Sequence, residues 1–216
     1  MKTKLVLLVV AAAIALTSDR LHATTVALSF TGGSTFTLSD ATASWDFNLG
    51  TAASITDVGL WDAPSPGEGN FVGDGFLQFH LITIWETSTM TVVAQATVDN
   101  TGTLIDGFRY VSLAQPVLLA SGNYTIGAYY PAGGSDATAI NATTITTASG
   151  VTYDESVFAS GNAFPAGGFV AVNSYFGPNF QFVAIPEPGS AFLVVLGIGT
   201  LMFRARRRNN ARPGAR

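Results

Sequence analysis

Between residues 24 and 185 the chain alternates short apolar runs with clusters of Gly, Asn, Asp, Ser and Pro, and no apolar stripe recurs at helical spacing. In YTIGAYY, Tyr124, Ile126, Ala128 and Tyr130 alternate with Thr125, Gly127 and Tyr129. That period of two fits a strand with one buried face. The pattern predicts strands over 26–30, 43–49, 55–61, 76–85, 90–98, 108–113, 123–130, 139–146, 169–172 and 180–185. Short strands in this number, in one stretch of about 160 residues, predict an all-β domain, a single β-sandwich or jelly roll. Trp85, Val92, Val93, Val111, Leu113, Tyr124 and Ile126 are the side chains such a fold buries. Two connections stand out as loops, 62–75 (DAPSPGEGNFVGDG) and 99–107 (DNTGTLIDG). Loops on a rigid β scaffold carry function more often than strands do.

Two further apolar runs lie outside this region. Residues 5–16 follow Lys2 and Lys4 and precede a small residue, Ala23, the order of a secretory signal peptide cleaved after Ala23. The run is too short for the roughly 20 residues that span a bilayer. Residues 190–203 are uncharged. As a helix they would extend about 21 Å against about 30 Å of hydrocarbon. Pro188 suits the first turn of such a helix. Arg204, Arg206, Arg207 and Arg208 would remain cytoplasmic, which leaves 24–185 outside. The expected division is therefore a signal peptide (1–23), a β-sandwich core (24–185), a C-terminal membrane segment with its flanks (186–208) and a cytoplasmic tail (209–216).

The C-terminal pattern resembles the PEP-CTERM sorting domain of Gram-negative bacteria. Pro186, Glu187 and Pro188 match its signature, 190–203 its short transmembrane helix, and Arg204, Arg206, Arg207 and Arg208 its basic end. The resemblance implies a partner, an exosortase-type sorting protease that recognises and removes the tail. It implies transient residence in the inner membrane, export to the cell surface or medium, and association with exopolysaccharide or biofilm. The competing reading is a simple tail anchor.

The region 49–134 carries a second resemblance. SITDVGLWDA, HLITIWETSTMTVVAQATVD and FRYVSLAQPVLLASGNYTIGAYYPAGG, with FGPNFQF further on, are similar to a family of uncharacterised domains in bacterial surface proteins. That resemblance implies a β-sandwich and assigns no activity or functional residue.

Charge and chemistry narrow the function. Residues 24–185 hold twelve acids and one base, Arg109, a net charge of −11. Such a surface repels nucleic acid. There is no cysteine, hence no disulfide, thiolate nucleophile or cysteine metal site. His80 is the only histidine of this region, which leaves no His cluster, and no nucleophile, phosphate-loop or dinucleotide motif appears. A lone histidine within a strand is more often structural than catalytic. The expectation is a non-enzymatic surface or extracellular-matrix protein. The alternatives are a carbohydrate-binding module, with Trp45, Trp61 or Trp85 stacking on sugar, and a glycan-active enzyme using two carboxylates. Calcium is the cation that oxygen donors in Gly-containing loops would take, with Asp74, Asp99, Asn100 and Asp106 as candidate ligands. Ordinary Asx turns explain the same residues.

Overall fold

The computed structural model describes residues 24–64, 71–166, 169–171 and 173–185. The expected signal peptide, the sorting segment with Pro186, Glu187, Pro188, Arg204, Arg206, Arg207 and Arg208, and the tail lie outside the described residues. The described chain is all-β. Among the described residues no helix is long and apolar enough to cross a membrane.

In chain order the strands are β1 (Thr25–Val26), β2 (Leu28–Thr31), β3 (Ser34–Thr37), β4 (Ala41–Leu49), β5 (Ala53–Trp61), β6 (His80–Glu86), β7 (Thr91–Val98) and β8 (Thr103–Ile105). They continue with β9 (Phe108–Leu119), β10 (Gly122–Tyr130), β11 (Ala137–Ile140), β12 (Thr144–Thr147), β13 (Val151–Ser160), β14 (Phe169–Ala171) and β15 (Pro178–Ala184). One sheet has the order β1-β15-β5-β9-β8 and the other β14-β13-β4-β10-β6-β7. Two short ribbons, β11-β3 and β12-β2, complete the fold. Their pairings are antiparallel.

The two large sheets meet through aromatic side chains, an arrangement consistent with a β-sandwich. Trp45 of β4 stacks on Phe180 of β15 with ring centroids 6.0 Å apart, and Phe47 lies 4.8 Å from the same ring. The Trp45 Nε1–H donates to the Pro178 carbonyl at 2.8 Å, a polar tie between sheets inside an apolar core. Val58, Leu60, Ile82, Ile84 and Ile126 are fully buried around it.

The central strands of the six-stranded sheet are buried on both faces. On the face away from the main core, Thr42, Ser44, Thr83, Thr125 and Trp85 are buried, Thr42 and Trp85 against the segment 161–166. The Thr42 hydroxyl donates to the Gly161 carbonyl at 2.7 Å, and Trp85 meets Phe164 edge-on at 5.7 Å. Trp85 sits over Gly127, where a Cβ would lie 2.9 Å from the indole. That close approach explains a glycine in the middle of a strand.

The structure corrects several predicted elements. The expected strand 76–85 begins only at His80, because 76–79 is held as a bent loop by side chains rather than by a ladder. The expected strand 139–146 is two strands, broken at Asn141, whose φ is +56°. β13 was not expected, although it pairs along the length of β4. Its Asp154-Glu155 step breaks the apolar alternation, and the register shifts between Tyr153 and Ser156 at that point, as in a β-bulge. β9 runs on to Leu119 past the expected end at 113, with a register shift against β5.

Candidate functional site

The described parts of the loops flagged in the sequence, 62–64 and 71–75 on one side and 99–107 on the other, come together. Arg109, the only basic residue of 24–185, is what joins them. Its Nε–H donates to Asp62 Oδ2, Nη2 to the Gly73 carbonyl at 3.0 Å, and Nη1 to the Asn100 carbonyl at 3.4 Å. Asp62 is fully buried, and its other oxygen accepts from the Gly75 amide at 2.9 Å. Burial pushes the Asp62 carboxyl above its ordinary range, against the Gly75 amide and Arg109, which favour the charged form.

Arg109→Met is therefore expected to destabilise the protein by roughly 3 kcal/mol, by leaving a buried carboxylate unpaired. With Arg109 gone, the Asp62 carboxyl rises further. A group whose folded-state pKa is raised weakens the fold as pH climbs past its unfolded value, because the folded state must then lose a proton it prefers to hold. The deficit relative to the native protein should thus shrink when urea denaturation is repeated at pH values falling into the carboxyl range. A deficit independent of pH would show that the Asp62 charge is not what Arg109 holds.

The candidate calcium ligands are engaged in other ways. Asp74 Oδ2 accepts from the Phe71 amide at 2.9 Å. Asp99 Oδ1 accepts from the amide and hydroxyl of Thr101, and the hydroxyl above all keeps its carboxyl below the ordinary range. Asn100 grips the Phe76 backbone at both ends, with Oδ1 accepting from N–H at 2.6 Å and Nδ2 donating to C=O at 2.9 Å. Asp106 occupies a turn with φ +51°. Asp74 and Asp99 make Asx-turn bonds, and Asn100 ties down a distant stretch of backbone, so the four do not form a convergent shell. Among the described residues no group of three or more His, Cys, Asp or Glu is placed to hold a metal ion.

The candidate stacking residues are also relocated. Trp45 has no exposed surface and Trp85 is 6% exposed, so neither offers a ring face to a sugar. Both are packing residues, one between the sheets and one over Gly127. Trp61 is partly buried against the core, edge-on to Phe30 at 5.1 Å, with Val72 close beside it across Gly107.

A second buried network sets the neighbouring backbone. Asp136, 2% exposed, accepts from the Leu77 amide at 2.9 Å and the Gln78 amide at 3.1 Å. His80 Nε2 lies 2.8 Å from the same carboxylate, and His80 Nδ1 lies 3.1 Å from the Tyr129 carbonyl. A carbonyl only accepts, so Nδ1 carries a proton. The Nε2 contact ties the other end of the ring to Asp136. With both nitrogens engaged and the ring 1% exposed, His80 is held in place at the start of a strand rather than within one.

These ties shape an open cleft of about 280 Å³, lined by Phe76, Leu77, Gln78, Phe79, Asp99, Asn100 and Thr101. Phe79 is 69% exposed on its wall and Leu77 42%. Sequence periodicity missed Phe79 because it placed FLQFH inside a strand. Asp46 is the other notable carboxyl. Burial chiefly, with the charges of Glu155 and Asp154, raises it, and it accepts from the Thr125 hydroxyl at 2.6 Å.

A search of protein-family models finds no match for this chain, and a search of curated proteins finds none either.

Proposed function

We propose that this is an exported, non-enzymatic β-sandwich protein of the cell surface or extracellular matrix, sorted through an exosortase-type protease and working alongside exopolysaccharide. The observation that carries the reading is the order of segments in the sequence. A signal-peptide pattern precedes an acidic all-β core, and Pro186-Glu187-Pro188, an apolar run and Arg204, Arg206, Arg207 and Arg208 follow it. The geometry of the core supports the non-enzymatic part. Its one histidine is sealed against Asp136, and Asp62 is tied to Arg109, so the groups best suited to acid–base work hold loops instead. A second reading, carbohydrate binding, is favoured by the open cleft beside Phe79 rather than by the tryptophans.

The test is the intact mass of the protein recovered from the outer surface or medium of its host. The expected mass lacks 1–23 and the segment beyond Pro186. A mass that retains 190–216 would overturn sorting and make the protein tail-anchored.

A further inference from the structure

The wall of the cleft is built unusually for a surface loop. Residues 76–78 have no ladder partner, yet their backbone is fixed by two side chains from elsewhere in the chain. Asn100 holds both backbone groups of Phe76, and the buried Asp136 accepts from the amides of Leu77 and Gln78. His80, anchored at both ring nitrogens, fixes the next step of chain. Phe79 sits between these anchors, so its backbone is rigid while its ring is 69% exposed. A large aromatic held in water by a rigid frame marks an interaction site, since the frame has already lost the freedom that binding would otherwise remove.

The lining also holds the polar residues Asp99, Asn100 and Thr101. Asp99 Oδ1 is occupied by Thr101, while among the described residues no hydrogen bond reaches Oδ2. An exposed aromatic side chain and a carboxylate lining one cleft match a pyranose, which is apolar on its ring faces and carries hydroxyl donors at its rim. The volume, about 280 Å³, is at the small end of small-molecule pockets, and the cleft is open, so it suits a segment of a longer chain. The charge selects further. Asp99 lies in the cleft, residues 24–185 carry −11, and the one cation, Arg109, is engaged with Asp62. An anionic glycan would meet repulsion without a compensating base.

We propose that the cleft between 76–79 and 99–101 binds a segment of a neutral polysaccharide, with the Phe79 ring as stacking face and the Asp99 carboxylate as hydroxyl acceptor. The proposal deepens the carbohydrate-binding reading and is independent of tail processing. If the tail proves uncut, the cleft is unaffected, and if the cleft fails, sorting still stands.

The experiment is calorimetric titration of the full-length chain, purified in detergent, with neutral hexasaccharides of glucose, galactose and mannose, and with a galacturonate hexamer. At least one neutral hexamer is expected to bind, with the galacturonate weaker. Phe79→Ala should lose roughly tenfold in affinity, as expected for removal of one aromatic contact, while Phe79→Tyr retains binding. Asp99→Asn should weaken binding less than Phe79→Ala does, because an amide oxygen still accepts. The exposed ring contributes little to folding, so Phe79→Ala should keep the native urea midpoint, which separates lost binding from lost structure. The proposal is overturned if no neutral hexamer binds, if galacturonate binds best, or if Phe79→Ala binds as the native chain does.

Discussion

Trp45→Ala is expected to lower the stability of the protein by roughly 4 kcal/mol, the range for deleting a buried Trp ring. The ring has no exposed surface and touches both sheets, with Phe47 at 5.3 Å, Tyr153 at 6.4 Å and Phe180 at 6.0 Å between centroids. Its removal opens a cavity at the point where β4 meets β15. It also strips the Pro178 carbonyl of its donor in a place that water does not reach. Trp45→Phe separates the two effects. It restores most of the volume but not the hydrogen bond, and should cost about 1–2 kcal/mol. Urea denaturation followed by far-ultraviolet circular dichroism measures both, and the midpoint should move with little change in slope. Against a typical stability of about 5–15 kcal/mol, the alanine variant would stand near the edge of folding. A loss under about 1 kcal/mol for Trp45→Ala would contradict its place between the sheets.

Asp136→Ala should cost a similar amount, roughly 4 kcal/mol, for a different reason. Two amide N–H groups, those of Leu77 and Gln78, lose their acceptor at once, and His80 Nε2 loses its partner. His80 cannot turn to water, because its ring is buried against Phe76 and Tyr130. Asp136→Asn should be milder, about 1–3 kcal/mol. Its oxygen can accept from Leu77 and its amide can donate to an unprotonated Nε2, leaving Gln78 as the main loss. Hydrogen exchange distinguishes this loop-holding role from general destabilisation. In Asp136→Ala the amides of Leu77 and Gln78 should exchange faster by more than the global loss accounts for. Equal acceleration everywhere would show that the pair supports the core and not the cleft wall.

The all-β class was legible because a strand sends successive side chains to opposite faces, and YTIGAYY shows that alternation, although both faces of the strand proved to be buried, Thr125 as fully as Ile126. The segment became β10, paired with β4 on one side and β6 on the other. β13 was illegible for the converse reason. Its Asp154 and Glu155 fall where the register shifts, so the alternation that marks a strand is broken there. FLQFH was misread because apolar residues alone do not distinguish a strand from a loop whose amides are satisfied by side chains. Asp136 and Asn100, which satisfy them, are distant in sequence. Asp99 and Asn100, which line the cleft, stood out in the sequence only as candidate calcium ligands, and Arg109 only as a lone cation among twelve acids; nothing local identifies its partner as Asp62.

The sequence by itself determined what local chemistry dictates. That covers the β class, the acidic and cysteine-free character of the core, and the order of segments on which the sorting proposal rests. Only the tertiary structure decided which side chains meet. It placed Trp45 between sheets and Trp85 over Gly127, although both are tryptophans in strands of similar pattern, and it left Phe79 in water. The physical reason is that exposure is a property of what packs above a residue. For Trp85 the cover is the segment near Phe164, and for the frame behind Phe79 it is an aspartate 56 residues from His80. Contacts at such separation leave no periodic trace along the chain.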